Sequence, residues 1–322
     1  MDIVTLFEGI PRASAPTDFS AIPLPGRRQD FLAKGVDGAP VFLLHDASEP
    51  QYSPGVHFKY LTAQFHATCA VHTEGRDLNG QFAVIACDGS ISDLHEIFIR
   101  CFGAAVEELP IECGTRELNG CIQKLLDLFR VLSQPSVRSV TGLWAELYVI
   151  ASSGRIAEAL EAWHEHPSDR FDFAWATGRL EVKASTQSVR LHHFALEQLV
   201  CTEEGNGYVA SVLLQPISEG IGVLDLANRI EDEVRYSPKL RQKLWSNVAK
   251  ALGSDFSDKV DKRFDLTYAE RSVIVYSMDD IPKPDTTSDP RVLAIRFTAD
   301  LTTVTSSIAH GATTTLQSMF GR

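Results

Sequence analysis

The sequence has few of the features that mark secreted, membrane-spanning or zinc-binding proteins. None of its six cysteines belongs to a C-x-x-C pair, so a zinc site is not supported and we expect reduced, mostly buried thiols. No segment approaches the roughly 20 apolar residues that cross a bilayer, and the first residues lack a basic leader. These absences predict a cytoplasmic protein with no membrane partner. The cysteines are Cys69, Cys87, Cys101, Cys113, Cys121 and Cys201.

Positive charge is also scarce, because 30 lysines and arginines face 42 acidic residues and the net charge is -12. This balance argues against a general polyanion binder. It does not exclude a nuclease, since acidic metal ligands lower the net charge and a local basic groove is enough to grip DNA. A small-molecule hydrolase has no support from a nucleophile motif such as G-x-S-x-G.

The 322 residues, of which 44% are hydrophobic, are enough for one or two domains. Short β-rich segments dominate up to about residue 90, and a helical pattern follows to 108. Residues 1–112 are therefore predicted to form an N-terminal β-rich α+β domain of unknown role. Residues 113–322 are predicted to form a second domain in which helices and strands mix. There we also expect a strand over 264–276 and a poorly ordered tail after Thr302.

The most informative segment runs from Asp172 to Lys183 and predicts two short strands joined by a Thr177-Gly178 turn. Side chains on a strand alternate between faces, so Glu181 and Lys183 share one face. If the turn folds the strands together, Asp172 reaches the same face. Two carboxylates and one amine then converge at a sheet edge, which suits a hard divalent cation and metal-assisted phosphodiester hydrolysis.

A further carboxylate precedes this hairpin. On a predicted helix over 139–152, Leu143, Leu147 and Ile150 form an apolar stripe, and Glu146 falls inside it. A carboxylate that faces a core must be paired, protonated or bound to a metal.

Structural alternatives remain open for each of these acids. Glu146 is also compatible with the margin of the stripe or with pairing to an arginine. Asp172 is compatible with a strand-end position beside a neighbouring arginine. Glu181 and Lys183 are compatible with an ion pair on a solvated face, which contributes little to stability.

Polar residues near the hairpin offer further candidates. Gln198 follows the hairpin and is placed to hydrogen-bond the active-site edge or a phosphate, or else is an exposed helix residue. His192 and His193 are neighbours on a strand, so they face opposite ways and do not share a ligand. We consider one of them for substrate contact. His164 and His166 are predicted to be surface residues.

One segment, residues 235–250, has five positive charges and no acid. Such a segment is able to track a nucleic-acid backbone, although a solvated helix face is the simpler explanation. Tyr236 and Trp245 are predicted to be packing residues rather than base-stacking platforms. The candidate nucleic-acid contacts are Arg235, Lys239, Arg241, Lys243 and, from the earlier strand, His193.

Two motifs together, Gly142-Leu-Trp-Ala-Glu146-Leu and Asp172-x8-Glu181-Val-Lys183, resemble the PD-(D/E)XK nuclease superfamily. The run Val189-Arg-Leu-His-His-Phe-Ala-Leu-Glu-Gln198-Leu is similar to one bacterial family within it, whose genes tend to lie near phage-defence genes. Phe171 stands where the motif has its proline. The resemblance extends from about residue 115 towards the C-terminus, and more loosely over the N-terminal domain. It implies an α/β, restriction-endonuclease-like fold with a central mixed sheet flanked by helices.

The resemblance also implies roles for the site residues. Asp172, Glu181, the carbonyl of Val182 and Glu146 would bind Mg²⁺ or Mn²⁺. Lys183 would orient the attacking water, and the ion would neutralise charge growing on the phosphate. The predicted catalytic set is Glu146, Asp172, Glu181, Lys183 and Gln198.

The sequence therefore predicts a Mg²⁺-dependent endonuclease that hydrolyses DNA in prokaryotic anti-phage defence. Expected partners are DNA, other defence-system proteins and a second copy of the chain in a homodimer. The alternative is a non-catalytic nuclease-fold subunit that binds nucleic acid or partner proteins in a defence complex, because fold does not fix function. The joint presence of Glu146, Asp172, Glu181 and Lys183 argues against a degenerate site.

Overall fold

The structure is a computed structural model that describes residues 2–26, 28–49, 52–90, 92–135, 138–166, 169–200, 205–285 and 291–321. The chain forms two compact units, which comprise residues 1–135 with 236–256, and 136–235 with 257–322. This division differs from the predicted domains at 1–112 and 113–322, because residues 113–135 and 236–256 pack within the first unit. The mixture of helices and strands confirms the predicted α/β fold class.

The first unit combines one sheet with helices. In its described part the sheet has the order β1-β2-β3-β6-β5-β4, and β1 also pairs with β5 in parallel, which closes five of the strands into a ring. The elements are α1 (Ile3–Glu8), β1 (Asp18–Pro23), β2 (Phe31–Lys34), β3 (Pro40–His45), β4 (Val56–Phe58), β5 (Leu61–Thr73), β6 (Arg76–Cys87), α2 (Asp93–Glu107), α3 (Thr115–Leu132) and α7 (Pro238–Leu252). This unit confirms the expected β-rich α+β character of the N-terminal part.

Strand β3 shows how the ring and the helices share a core. Val41 and Leu43 point into a cluster of buried side chains from the neighbouring strands. Phe42, on the opposite face, packs edge-on against Phe98 and Phe102 of α2, with ring centroids 5.4 and 4.8 Å away. Because both faces are covered, β3 is a continuous apolar run rather than an alternating one.

Helix α7 belongs to the same core although it comes much later in the chain. It packs against α2 and α3. The Trp245 ring is fully buried, and the Arg100 guanidinium lies 5.1 Å from its centroid. The guanidinium of Arg241 donates a hydrogen bond to the Glu107 carboxylate.

The second unit contains a four-stranded mixed sheet in the order β13-β10-β8-β7. Strands β8 and β10 are parallel, whereas β7–β8 and β10–β13 are antiparallel. Helix α4 packs against β8 and α6. The elements are α4 (Val140–Ser152), α5 (Ile156–Ala162), β7 (Phe173–Trp175), β8 (Gly178–Ser185), β9 (Leu191–Ala195), β10 (Asn206–Leu213), β11 (Pro216–Gly222), α6 (Val223–Glu233), α8 (Phe256–Val260), β12 (Arg263–Phe264), α9 (Leu266–Ser272), β13 (Ile274–Ser277), β14 (Arg296–Asp300) and α10 (Ala312–Ser318).

Two predictions about the C-terminal part were wrong. The segment 264–276 contains helix α9 between two short strands, because the Asp265 side chain accepts a hydrogen bond from the Tyr268 N–H and so caps a helix. The tail after Thr302 is ordered and ends in α10. Its Phe320 ring is buried against Phe173 and Trp175, with centroids 5.6 and 5.0 Å away, so burial of apolar surface holds the tail on the hairpin.

Five of the six cysteines lie among the described residues, and these five are buried thiols outside any disulfide. Burial raises the pKa of Cys69 to about 11 and those of Cys87 and Cys121 to about 12. Cys201 lies outside the described residues. Within the described ranges, no helix has the length and apolar character needed to cross a membrane.

Candidate active site

Helix α4 carries the first acidic side chain of the site, Glu146. The helix begins after Ser139, whose hydroxyl oxygen accepts a hydrogen bond from the Gly142 N–H at 3.1 Å. Every residue from 143 to 150 is buried, so this part of the helix has no solvated face. Glu146 is 6% exposed and therefore lies in the interior rather than at the margin of a stripe.

Three polar groups surround the Oε2 atom of Glu146. The Trp163 indole N–H donates to it at 2.7 Å, and Nε2 of His164 and a guanidinium nitrogen of Arg138 each lie 3.3 Å away. Burial raises the pKa of Glu146, but the combined effect of His164, Arg138 and Trp163 outweighs it. The pKa of Glu146 is therefore lowered, and its carboxylate is held as an anion inside the unit.

The β7–β8 hairpin brings Asp172 to the second carboxylate position, as the sequence led us to expect. Its two strands pair from Phe173 with Leu180 to Trp175 with Gly178. A Cβ atom at Gly178 would collide with the Trp175 ring, which explains the glycine at this turn. Asp172 precedes β7, and its Oδ2 accepts a hydrogen bond from the Val182 N–H at 2.7 Å.

The carboxylates of the site repel one another. Burial, followed by the charges of Glu181 and Glu146, raises the pKa of Asp172 well above its ordinary value, although the Val182 N–H and Lys183 act in the opposite direction. Glu181 is 3% exposed, and burial raises its pKa despite the nearby Lys183 ammonium. Such a cluster of carboxylates becomes more favourable when a cation enters it.

Lys183 and Gln198 hold one oxygen of Glu181. Glu181 Oε1 accepts a hydrogen bond from Lys183 Nζ and another from Gln198 Nε2, both at 2.6 Å. Gln198 Oε1 in turn accepts from the Ala195 N–H at 3.0 Å and lies 3.5 Å from Lys183 Nζ. The side chains of Glu181 and Lys183 are 4% and 17% exposed, so their ion pair does not lie on a solvated face.

The other oxygen of Glu181 has a different environment. Among the described residues, Glu181 Oε2 is buried without a hydrogen-bond partner. A buried anionic oxygen left in this state is costly, which indicates that it faces a group absent from the chain itself.

One group of possible metal-ligating atoms occurs among the described residues. Glu146, His164 and Asp172 each offer one atom, and these atoms lie within 4.8 Å of one another. Carboxylate oxygens and an imidazole nitrogen form a donor set that fits a divalent cation. Glu146 and Asp172 belong to the predicted ligand set. The roles of Glu181 and of the Val182 carbonyl as ligands stay predictions.

Three residues around Glu146 were not found from the sequence. His164 was predicted to lie at the surface, but its side chain is only 7% exposed because it packs against Glu146. Arg138 and Trp163 were not singled out at all. Trp163 forms a β-bridge to Phe173 at the start of the hairpin. In the sequence, the only sign of this contact is that Trp163 shortly precedes the hairpin. No helix or strand periodicity in the sequence predicts that these three side chains contact Glu146.

The adjacent histidines on β9 do face opposite ways. His192 is buried and its Nε2 lies 2.7 Å from the Ser211 hydroxyl oxygen, and burial lowers its pKa to about 4. His193 is exposed, with Nδ1 2.8 Å from the Thr298 hydroxyl oxygen. It lines an open cavity of about 780 Å³ together with Arg170, Gln198 and Arg296, so Gln198 borders both the cavity and the carboxylates.

The candidate nucleic-acid contacts at 235–243 are divided between the two units. Arg235 is an exposed residue of the second unit, whereas Lys239, Arg241 and Lys243 lie on α7 of the first. Arg241 is held by Glu107 as described above. Tyr236 is 87% exposed, so the prediction that it packs was wrong, while Trp245 is buried as expected.

Comparison with known proteins identifies the family of the chain. The family model described as "Putative PD-(D/E)XK family member, (DUF4420)" matches residues 6–302. The chain belongs to this family. The matched residues include the whole candidate site and most of the first unit. The match confirms the predicted membership of a PD-(D/E)XK family. No significant match was found among curated proteins or among solved structures.

Proposed function

We propose that this PD-(D/E)XK family member is a metal-dependent endonuclease that hydrolyses phosphodiester bonds of DNA. The observation that carries the proposal is the buried set of Glu146, Asp172 and Glu181 with Lys183 beside it. Burial of Asp172 and Glu181 beside the Glu146 anion is unfavourable, as the raised pKa values of Asp172 and Glu181 reflect. Family membership supports the nuclease-like chemistry at this set.

In this proposal the site residues have separate roles in catalysis. Glu146, Asp172 and the free oxygen of Glu181 would hold Mg²⁺ or Mn²⁺, which supplies positive charge for the phosphate and a more acidic water. Lys183, fixed by Glu181, would hold the attacking water and stabilise negative charge in the transition state. Gln198 would keep Lys183 and Glu181 in place and present its edge to the phosphate.

Cleavage of supercoiled plasmid DNA tests the proposal. The purified chain should nick the plasmid with Mg²⁺ or Mn²⁺ and lose this activity in EDTA. Glu181→Gln and Lys183→Met should each reduce the rate at least about 100-fold, since the first removes a carboxylate that would hold the ion and the second removes the positive charge beside the reacting phosphate. Glu219→Gln is the matched control, because Glu219 is an exposed acid of the same unit and its loss should leave the rate unchanged.

Two results would count against the endonuclease. Cleavage by Lys183→Met at the wild-type rate would place the chemistry elsewhere. A wild-type chain that binds DNA with Mg²⁺ present but leaves it uncut would support the alternative of a non-catalytic nuclease-fold subunit.

We further propose anti-phage defence as the biological setting, with other defence proteins or a second copy of the chain as partners. Its support is the resemblance of residues 189–199 to a family whose genes tend to lie near phage-defence genes. Plating of phages on cells that express the wild-type chain or Lys183→Met tests it, and equal plating on both would contradict it.

A further inference from the structure

His164 occupies a position that is fixed by backbone contacts rather than by chance. It follows the bridge between Trp163 and Phe173, and its own N–H donates to the Asp172 carbonyl at 2.9 Å. The chain before the hairpin therefore extends the edge of the sheet and places His164 beside the two carboxylates of Glu146 and Asp172.

The contacts of His164 indicate which ring nitrogen would bind an ion. Nδ1 lies 3.0 Å from the carbonyl oxygen of His166, and a carbonyl only accepts, so Nδ1 carries a proton. The Arg138 guanidinium, 3.4 Å from the same nitrogen, is then a neighbour and not a donor to it. Nε2, which lies 3.3 Å from Glu146 Oε2, is then the nitrogen whose lone pair a bound ion would take. Metal-binding histidines have this arrangement, with the distal N–H donated to a backbone carbonyl.

A second observation points to a cation at the same place. Glu181 is 3% exposed, and its Oε2 has no hydrogen-bond partner among the described residues. The charges of Glu146 and His164 both act on the Glu181 carboxyl group, so this group lies near the three ligating atoms, although it is not one of the residues whose atoms lie within 4.8 Å of one another.

We propose that His164 is a direct metal ligand and that it makes the site prefer a first-row transition ion, Mn²⁺ or Co²⁺, over Mg²⁺. The inference rests on the proposed function for the presence of an ion, and goes beyond it in naming the ligand and the selectivity. Mg²⁺ binds oxygen ligands and retained waters, whereas an imidazole nitrogen favours transition ions, with Co²⁺ above Mn²⁺.

Binding of the metals alone, without DNA, tests the proposal by calorimetric titration with Mg²⁺, Mn²⁺ and Co²⁺. The wild-type chain should bind Co²⁺ and Mn²⁺ more tightly than Mg²⁺. His164→Ala should weaken Co²⁺ binding by about tenfold or more and Mg²⁺ binding much less. The preference of the site for Co²⁺ over Mg²⁺ should therefore become smaller. His166→Ala is the matched control, because this side chain is exposed and its backbone carbonyl is retained.

A spectroscopic measurement avoids dependence on a variant. Pulsed electron paramagnetic resonance of the Mn²⁺-loaded wild-type chain should detect a directly bound imidazole nitrogen. Its absence, or equal losses of Mg²⁺ and Co²⁺ affinity in His164→Ala, would overturn the assignment of His164 while leaving the proposed nuclease intact. A wild-type chain that binds none of the three ions would overturn both.

Discussion

At the scale of single residues, Asp172 has an unfavourable position in the metal-free protein. Its carboxylate is buried beside Glu181 and Glu146, which raises its pKa. A carboxyl group whose folded pKa is raised destabilises the fold once it ionises. Its favourable contribution is complete below its ordinary pKa of 3.8 and is lost as the pH rises through the raised value.

Asp172→Asn should therefore stabilise the protein in EDTA. The amide keeps an acceptor for the Val182 N–H and removes the repulsion, so the free energy of unfolding at pH 7 should rise by about 1 kcal/mol. The gain should shrink as the pH falls towards about 4, where the wild-type carboxyl is also neutral. Urea denaturation at several pH values measures it.

With a divalent ion present, the wild-type chain should be more stable than Asp172→Asn. The wild-type chain should gain stability from ion binding, and Asp172→Asn should gain much less. Asp232→Asn, at an exposed position on α6, is the control and should change stability little under either condition. An Asp172→Asn chain less stable than wild type in EDTA at pH 7 would contradict the account of repulsion.

The sequence predicts the acidic hairpin because a period of two residues fixes which side chains share a face. Asp172 does reach across to Val182, and Glu181 pairs with Lys183 on that basis. The position of His164 could not be predicted from such periodicity. Its approach to Glu146 depends on how a loop returns from α5 to the sheet, and no periodic pattern in the sequence encodes that path.

At the scale of elements, Arg190 joins the start of β9 to the central sheet. Its buried guanidinium donates to the Ser211 carbonyl and hydroxyl oxygens, each at 2.8 Å, and to the Ser272 carbonyl. Burial lowers the pKa of Arg190, so its hydrogen bonds compensate the cost of placing a cation there. β9 leads directly to Gln198, so this anchor also sets the position of the residue that holds Glu181.

Arg190→Leu should lower the free energy of unfolding by about 3 kcal/mol, because buried acceptors on β10 and α9 lose their donor. Chemical denaturation measures the change. Arg271→Leu removes an exposed arginine of α9 and should cost far less. Equal effects of the two substitutions would show that Arg190 does not anchor β9.

Whether the sequence predicts a helix or strand correctly depends on whether its residues give one consistent signal or conflicting ones. The buried strand β10 and the helix α4 were predicted because their apolar runs are long and uninterrupted. The helix α9 was mistaken for a strand because its β-prone residues outweighed one capping aspartate, Asp265. Tertiary burial of Phe320 likewise orders a tail whose Thr- and Ser-rich composition favours disorder.

At the scale of the whole molecule, the five described cysteines should report on unfolding. All are buried, and burial raises the pKa of each of Cys69, Cys87, Cys113 and Cys121, so few reactive thiolates form. In a Cys201→Ser variant, a thiol-reactive disulfide reagent should label less than one cysteine per folded chain and five per chain in denaturant. Full labelling without denaturant would contradict the buried positions.

The division of the chain also has a consequence for its synthesis. The first unit takes α7 from residues 236–256, which the ribosome makes only after residues 136–235 of the second unit. At about 5–20 residues per second, the apolar surfaces of α2 and α3 that receive α7 wait on the order of ten seconds for their partner. During that interval the nascent chain should expose the apolar surface that α7 later covers, and it should be most prone to aggregation before residue 256 leaves the ribosome.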